Sequence, residues 1–386
     1  MADARYLLLV NPSAGGGRAM KRLPAIEAEM GKCGLSFRKV ETTGIEHGCR
    51  AAAAAAEAGE IPVVCSGDGL IGKVGGVLAG GRTPLGILPG GRGNDFARVV
   101  GIPTDPAEAV AILAADHRRR IDVGEANGER FLCIASCGFD SDANRIANET
   151  RLIRGPAVYA YAALRALWQW KPAEFTVTVD GAQKRVRGYA VAVANSKAYG
   201  GGMFVAPDAE LDDGELDVIT TAEGSKWSFL TGLPDVFKGT HVLRPEVETR
   251  RGAVVEVSAD RPFDLYADGE RLTELPATIT LLPSALELIA PAPEAVAPSP
   301  NEGLATASLP RLRREGDGRA RRRIDQPTQR ARRRHDATRA PAAAHGARRD
   351  RTPLLAAHRR ASRDQRHQRQ DDDGRDDRRR ASRGGA

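Results

Sequence analysis

Residues 62–98, PVVCSGDGLIGKVGGVLAGGRTPLGILPGGRGNDFAR, decide the fold. An apolar run at 62–66 breaks into Gly67-Asp68-Gly69, a helical stretch follows at 70–78, and a second apolar run at 84–88 breaks into Gly90-Gly91-Arg92-Gly93-Asn94-Asp95. Short apolar runs of four to eight residues, bounded by glycine and separated by helical periodicity, are the signature of buried parallel strands. The same unit stands upstream: a strand at 6–10 runs into Asn11-Pro12-Ser13-Ala14-Gly15-Gly16-Gly17, followed by a helix at 19–33, a strand at 35–41 and an alanine-rich helix at 45–58. Repeated strand-turn-helix units predict a doubly wound, Rossmann-like parallel sheet with helices on both faces. Ligands of such sheets bind at the carboxyl ends of the strands, where all three glycine turns fall.

Beyond residue 120 the pattern changes to alternating strands, at 130–135, 174–179, 185–193, 216–220, 253–258, 263–267 and 277–282, with helical stretches near 154–169 and 226–238. A β-sandwich domain is expected there. The proline-rich run from Pro291 to Pro300 ends it. The expected organisation is an α/β nucleotide domain over 1–120, a β-rich domain over 121–291, and a tail over 292–386.

The 386 residues carry a formal charge of +7, an average over unlike parts. The last 86 residues hold 25 Arg, no Lys and 12 Asp+Glu, a charge of +13, whereas residues 1–300 hold 32 Lys+Arg and 38 Asp+Glu, or −6. With six Leu or Ile and no Val, Phe, Tyr, Trp or Met, the last 86 residues cannot bury enough apolar surface to offset chain ordering, so a disordered tail is expected. Its functional reading is an arginine-rich arm for nucleic acid or anionic lipid; it reads otherwise as a solvated appendage or as out-of-frame translation of GC-rich DNA, and a nucleic-acid partner is not expected. No apolar run is long enough to span a membrane, and no secretory signal is recognised at the N-terminus. The five Cys lack paired spacing, and reduced thiols are expected.

Backbone amides exposed in a glycine turn at a helix N-terminus bind phosphate oxygens. Gly67–Val74 also has the spacing of a P-loop with Lys73 in the lysine position, but Val74 replaces the magnesium-binding hydroxyl and Asp68 would aim a carboxylate at the phosphates. A carboxylate there suits action through Mg²⁺, or removal of a proton from an attacking hydroxyl. Asp95, Asp122, Asp213 and Asp268-Gly269-Glu270 are further glycine-flanked acids. Each alone reads as a turn aspartate; beside phosphate loops, the set suggests metal-assisted phosphoryl transfer.

These residues resemble the diacylglycerol kinase and sphingosine kinase catalytic family, especially its bacterial soluble lipid kinases. The likeness runs from about Arg5 to Pro291, through Val10–Gly15, Gly67-Asp68-Gly69, Gly91–Arg98, Tyr199–Met203, Ala206-Pro207, Leu211–Asp217 and Asp268-Gly269-Glu270. It implies ATP at Asn11, Pro12, Ser13, Ala14 and Gly15, at Thr42 or Thr43, at Gly67, Asp68, Gly69 and Lys73, and at Gly91, Arg92, Gly93 and Asn94. It implies Glu270 or Asp268 as proton acceptor, working with Asp68, Asp95 and Asp122, and Mg²⁺ around Asp213 with the backbone carbonyls of Glu210 and Glu215 as neighbours. The activity implied is ATP- and Mg²⁺-dependent phosphorylation of a diacylglycerol-like hydroxyl, in the cytoplasm and peripherally at the inner membrane face, with a homodimer left open. Another acceptor, sphingosine-like or NAD, and an inactive nucleotide- or lipid-binding regulator remain alternatives. Leu70, Lys73 and Arg92 depart from the family's Thr, Glu and Thr; Arg92 and Lys73 could bind phosphate directly. The aromatic stretch 153–170 is expected to be core, lipid-pocket wall or membrane-facing surface.

Overall fold

The structure, a computed structural model, describes residues 6–139, 141, 146, 165–168 and 170–292. Contacts divide the chain after Arg311, and every described residue belongs to the first unit. The expectation for the tail, and most of that for 153–170, lies outside the described residues.

Strands β1 (Tyr6–Val10), β2 (Phe37–Glu41), β3 (Ile61–Ser66) and β4 (Gly86–Pro89) form a parallel sheet in the order β2-β1-β3-β4. All five residues of β1 and all six of β3 are buried, as central strands covered on both faces must be. Helices α1 (Arg18–Lys32), α2 (Ile45–Glu57), α3 (Asp68–Leu78), α4 (Asp95–Val99) and α5 (Pro106–Ala115) complete the layer; α1 packs with α5, and α2 with α3. Strand order reverses direction between β1 and β3, which places a crevice at their carboxyl ends. Helix α5 is an element the sequence reading lacks. Its cap is complete: Asp105 accepts from the amides of Ala107 (2.9 Å) and Glu108 (3.1 Å), with Pro106 in the first turn.

The second sheet is antiparallel and forms the β-sandwich. Its strands are β5 (Arg118–Ala126), β6 (Glu129–Phe131), β7 (Ile134–Gly138), β8 (Ala173–Val179), β9 (Ala182–Ala194), β10 (Leu216–Ala222), β11 (Val247–Gly252), β12 (Val254–Ala259), β13 (Asp264–Ala267), β14 (Glu270–Glu274) and β15 (Ala277–Ile289). The main path runs β14-β13-β7-β9-β8-β12-β15-β5-β6, with β10 pairing β9 and β11. Helix α6 (Lys226–Lys238) lies between β10 and β11 in sequence. Its N-cap Ser225 accepts from Ser228, and Gly239 closes it with φ +69°.

Two details join the layers. Strand β15 continues seven residues past the expected end at 282, through a bulge at Leu282/Leu286, and bonds Leu85 beside β4: Leu85 N donates to Glu287 O (2.9 Å) and Ile289 N to Leu85 O (3.0 Å). The expected strand 130–135 is broken at Leu132-Cys133, because those two amides leave the ladder to serve a side chain described next.

Candidate active site

Strands β1, β3 and β4 deliver the three glycine loops side by side, and the loops touch through backbone. A Cβ on Gly91 would lie 2.5 Å from Gly67 Cα, and one on Gly15 2.8 Å from Gly90 O. Only glycine permits that approach, and Gly15 also holds φ +60°. In the first loop, Asn11 Oδ1 accepts from Ser13 N (3.0 Å) and Ser13 Oγ (2.8 Å), and Ala14–Gly16 forms a 3-10 turn after Pro12. In the third, Asn94 holds φ +52° and its Oδ1 accepts from Gly91 N at 2.7 Å. Beside β2, Thr42 N bonds Val10 O, its buried hydroxyl has no hydrogen-bond partner, and Thr43 bonds His47.

Carboxylates gather at this junction. Asp68 opens α3 and accepts from Phe96 N (3.0 Å), while buried Asp95 accepts from Arg98 Nη1 (2.6 Å) and Gly201 N (2.6 Å). A Cβ on Gly93 would meet both, 2.9 Å from Asp95 Oδ2 and 3.3 Å from Asp68 Oδ2. The sandwich supplies the opposite wall. Asp268, at φ +52° in the turn between β13 and β14, accepts from Leu132 N and Cys133 N, both at 2.9 Å, and seats its carboxylate on Gly72 of α3. Glu270 is exposed and reaches Gly69: a Cβ there would lie 3.3 Å from Glu270 Oε1.

Burial pushes Asp268 up to about 6, against the two amide bonds that lower it and with the charge of Asp68 adding to the rise. Asp68 is raised as well, chiefly by burial, with Phe96 N opposing and Asp95 adding. The Cys133 thiol beside them is pushed well up by burial. The negative charge of these neighbours favours the protonated form of each raised carboxyl, and a cation beside them would favour the ionised form.

The remaining sequence-derived residues divide. Arg92 is exposed and reaches over the first loop, a Cβ on Gly16 lying 3.5 Å from its Nη2. Lys73 instead pairs with Glu129 at 3.1 Å. Leu70 turns into α2, packing into the notch left by Gly48. Asp122 is 2 % exposed and has both oxygens engaged, by Ser284 N (2.6 Å) and Gly214 N (2.8 Å); it ties β5 to the bulge of β15 and to the 211–214 loop.

At the expected magnesium site, one guanidinium stands among the acids. Arg251 donates to Asp213 and pairs with Glu215 (3.1 Å) and Asp217 (3.4 Å). Asp217 is pushed up to about 6 by burial, with Arg251 acting against the shift, and its Oδ2 is buried without a hydrogen-bond partner. Glu210 is exposed. Carboxylate oxygens are ligands Mg²⁺ accepts, but the ion would have to displace Arg251 from Asp213. Among the described residues no three His, Cys, Asp or Glu side chains are placed to hold a metal. As arranged, the Asp213 carboxylate is taken up by Arg251 and is not open to an ion.

The sequence reading lacks several positioning residues. Asn195 Nδ2 donates to Asp122 O and Leu132 O, both at 2.9 Å, and Asn195 N donates to Cys133 O at 2.8 Å; it holds the turn that holds Asp268. Its readable signal is a polar residue closing the apolar run 190–194. Arg98 fixes Asp95 and Gly93 O (2.9 Å) together.

A parallel sheet with three touching glycine loops, faced by carboxylates from a β-sandwich, is the frame of a nucleotide-dependent phosphotransferase. Residues 5–126 match the diacylglycerol kinase catalytic domain, and residues 133–290 match the YegS C-terminal NAD kinase beta sandwich-like domain. A diacylglycerol kinase of Mycobacterium tuberculosis is 35 % identical over 281 residues, 70 % of this chain and 90 % of that protein. A YegS-like protein of Pseudomonas aeruginosa, described as a probable lipid kinase, is 31 % identical over 276 residues, 70 % of this chain and 89 % of its own. A crystal structure of a diacylglycerol kinase from Bacillus anthracis has the same fold, with TM-score 0.60 and 23 % identity, over 76 % of this chain and 98 % of that one. The chain belongs to the diacylglycerol kinase/YegS-like lipid kinase family and is a kinase. No helix among the described residues is long and apolar enough to cross a membrane.

Proposed function

We propose that this kinase transfers the γ-phosphoryl group of ATP, taken as its Mg²⁺ complex, to the free hydroxyl of diacylglycerol or a similar lipid, giving a phosphatidic acid-like product. The observation that carries this is the docking of Asp268-Gly269-Glu270 onto Gly69 and Gly72, at the point where the three loops meet. The nucleotide part would span 1–120 and the lipid part 121–291, a division supported by the change of sheet at Arg118.

Asn11–Gly15, Thr42, Thr43, Gly67, Gly69 and Gly91–Asn94 would hold the nucleotide through backbone amides and short side chains. Arg92 adds a bidentate fork for phosphate where the family usually has Thr. Asp68 and Asp95 would face the cation that ATP carries. Glu270 is assigned the proton of the acceptor hydroxyl: it is exposed to an arriving substrate, whereas both oxygens of Asp268 are committed to amides. Asp268 sets the triplet in place.

The lipid side is supported by a cleft of about 120 Å³, open to solvent on one side, between α6 and strands β9 and β10. Tyr189, Ile219, Phe229, Leu233 and Val236 give it apolar walls, and Tyr189 stacks on Phe229 with centroids 4.4 Å apart. Tyr199 and Met203 also line it, flanking Gly201, whose amide holds Asp95. Acyl chains in the cleft would therefore lead towards the carboxylates.

The acceptor is tested with γ-labelled ATP offered alongside diacylglycerol, a sphingosine-like lipid and NAD. Label is expected in diacylglycerol; label only in NAD, or in none of the three, would refute the lipid assignment. Arg92→Ala is expected to raise the ATP KM severalfold with kcat little changed, and unchanged constants would remove Arg92 from the site.

The raised carboxylates give opposite signs in activity and stability. Transfer needs them ionised, so kcat/KM should rise with pH through an apparent pKa near 6, above the usual carboxylate range. The folded state holds Asp268 protonated where the unfolded chain has lost the proton, so stability should fall as pH rises from about 4 to about 6. Asp268→Asn should abolish that component of the fall; an unaltered pH dependence of the unfolding midpoint would contradict the burial argument.

A further inference from the structure

Helix α6 is apolar on both sides. At 100° per residue, Phe229, Gly232, Leu233 and Val236 fall on the face lining the cleft, and Trp227, Pro234 and Phe237 fall on an arc outside that face, while half-buried Leu230 packs against the sandwich core. A surface helix ordinarily turns polar residues outward. This one exposes Trp227 at 72 % and Phe237 at 49 %. The Thr231 hydroxyl on the same arc donates to the carbonyls of Trp227 and Ser228, so it folds back onto the helix.

The apolar arc has neighbours. Leu243, closing the 3-10 turn that follows α6, is 74 % exposed, and Trp168 is 85 % exposed, its carbonyl accepting from Lys226 Nζ at 2.9 Å. Four of the six exposed large hydrophobic side chains among the described residues thus fall at α6, its closing turn and the segment tied to its first residue. The charge on the helix is one-sided. Exposed Lys226 and Lys238 bracket the arc, and the helix's single acid, Asp235, pairs with Arg244 at 3.0 Å.

We propose that Trp168, Trp227, Phe237 and Leu243 insert into the headgroup region of an anionic bilayer, with Lys226 and Lys238 against the lipid phosphates. Tryptophan favours that interface, and lysines beside an inserted apolar helix face add attraction to anionic lipid. Helix α6 would then separate bilayer from cleft, so an acyl chain moves from one apolar medium into another past a single helix. The proposal rests on the lipid-kinase assignment for its substrate, but the docking can be measured without it.

The test uses the full chain and vesicles of phosphatidylcholine with phosphatidylglycerol, some carrying brominated acyl chains, which quench only tryptophan inserted among them. The chain has three Trp, and Trp170 is buried, so Trp168 and Trp227 report the patch. Quenching is expected for the wild type and lost in Trp168→Ser/Trp227→Ser. That double variant should raise the KM for vesicle-borne diacylglycerol about tenfold or more, with kcat on a water-soluble short-chain diacylglycerol unchanged, which also reports correct folding. Absence of wild-type quenching would overturn the proposal, as would a wild-type dimer that the same double variant dissociates, because the patch would then serve a second copy. Quenching without transfer to any lipid would sink the lipid-acceptor assignment alone, and transfer to short-chain lipid without quenching would sink the docking alone.

Discussion

Gly72→Ala is expected to lower phosphoryl transfer about 100-fold while leaving ATP affinity close to that of the wild type. The new methyl would overlap Asp268 Oδ2 and lie 3.1 Å from both Cβ and Cγ of that residue. Asp268 cannot simply rotate away, because both oxygens accept backbone amides, from Leu132 and Cys133. Relief requires the whole turn to back off α3, which carries Glu270 away from the glycine loops. Two other glycines bracket the effect. At Gly69 the methyl would press on Glu270 Oε1 at 3.3 Å and rest in ordinary contact with Glu270 Cγ (3.5 Å) and Asp268 O (3.6 Å), and a milder loss is expected. At Gly31 it meets nothing within 4 Å, inside α1, so Gly31→Ala should stabilise by about 0.5–1 kcal/mol and leave activity alone. Turnover of Gly72→Ala within a factor of about three of the wild type would mean that the triplet does not act from where it sits.

Asp122→Ala is expected to cost about 3 kcal/mol or more of stability, measured by urea unfolding. Two amides, of Ser284 and Gly214, would lose their acceptor in a site where Asp122 is 2 % exposed, and each unsatisfied buried group costs about 1–3 kcal/mol. The loss would reach both layers, since the same residue holds the bulge that lets β15 continue to Leu85 and the loop that carries Asp213. Asp122→Asn keeps one carbonyl acceptor and places an N–H₂ against the other amide, so it should be intermediate. A change below about 1 kcal/mol for the alanine variant would show that water replaces the carboxylate and that the tie is not structural.

Asp122 also shows where sequence reasoning stops. It stands two residues from a glycine, as Asp95 does, with Asp213 next to one, and composition cannot separate a carboxylate that serves a substrate from one that serves the backbone. Its partner Ser284 is 162 positions away. The glycine loops were legible because one local rule governs them: an apolar strand, a turn that needs glycine, then a helix. Their mutual contact, Gly67 against Gly91 and Gly15 against Gly90, follows from strand order, which the repeated units also imply.

Elements that depend on distant partners were not legible. Residues 130–135 read as one strand because the apolar run 131–135 is continuous, yet the ladder breaks where Leu132 and Cys133 turn to Asp268. Pro283-Ser284 reads as a strand end, but Asp122 caps the amide freed there and the strand resumes. Lys73, in the position of a phosphate lysine, pairs with Glu129, and Arg251, far in sequence from Asp213, pairs with that carboxylate; neither partner is readable locally. Helix α5 is different, since Asp105-Pro106 followed by Glu108 is a local start signal that was readable.

Glu270, set by Asp268 against the glycine loops, is assigned the proton of a lipid hydroxyl as phosphate is transferred to it. The most direct test measures phosphatidic acid formed from diacylglycerol and γ-labelled ATP by the wild type and by Glu270→Gln, with ATP binding measured on both. The expected result is labelled lipid from the wild type, a kcat about 1000-fold lower for Glu270→Gln, and equal ATP affinity. A well-folded wild type that labels no lipid, or a Glu270→Gln variant that turns over at the wild-type rate, would contradict it.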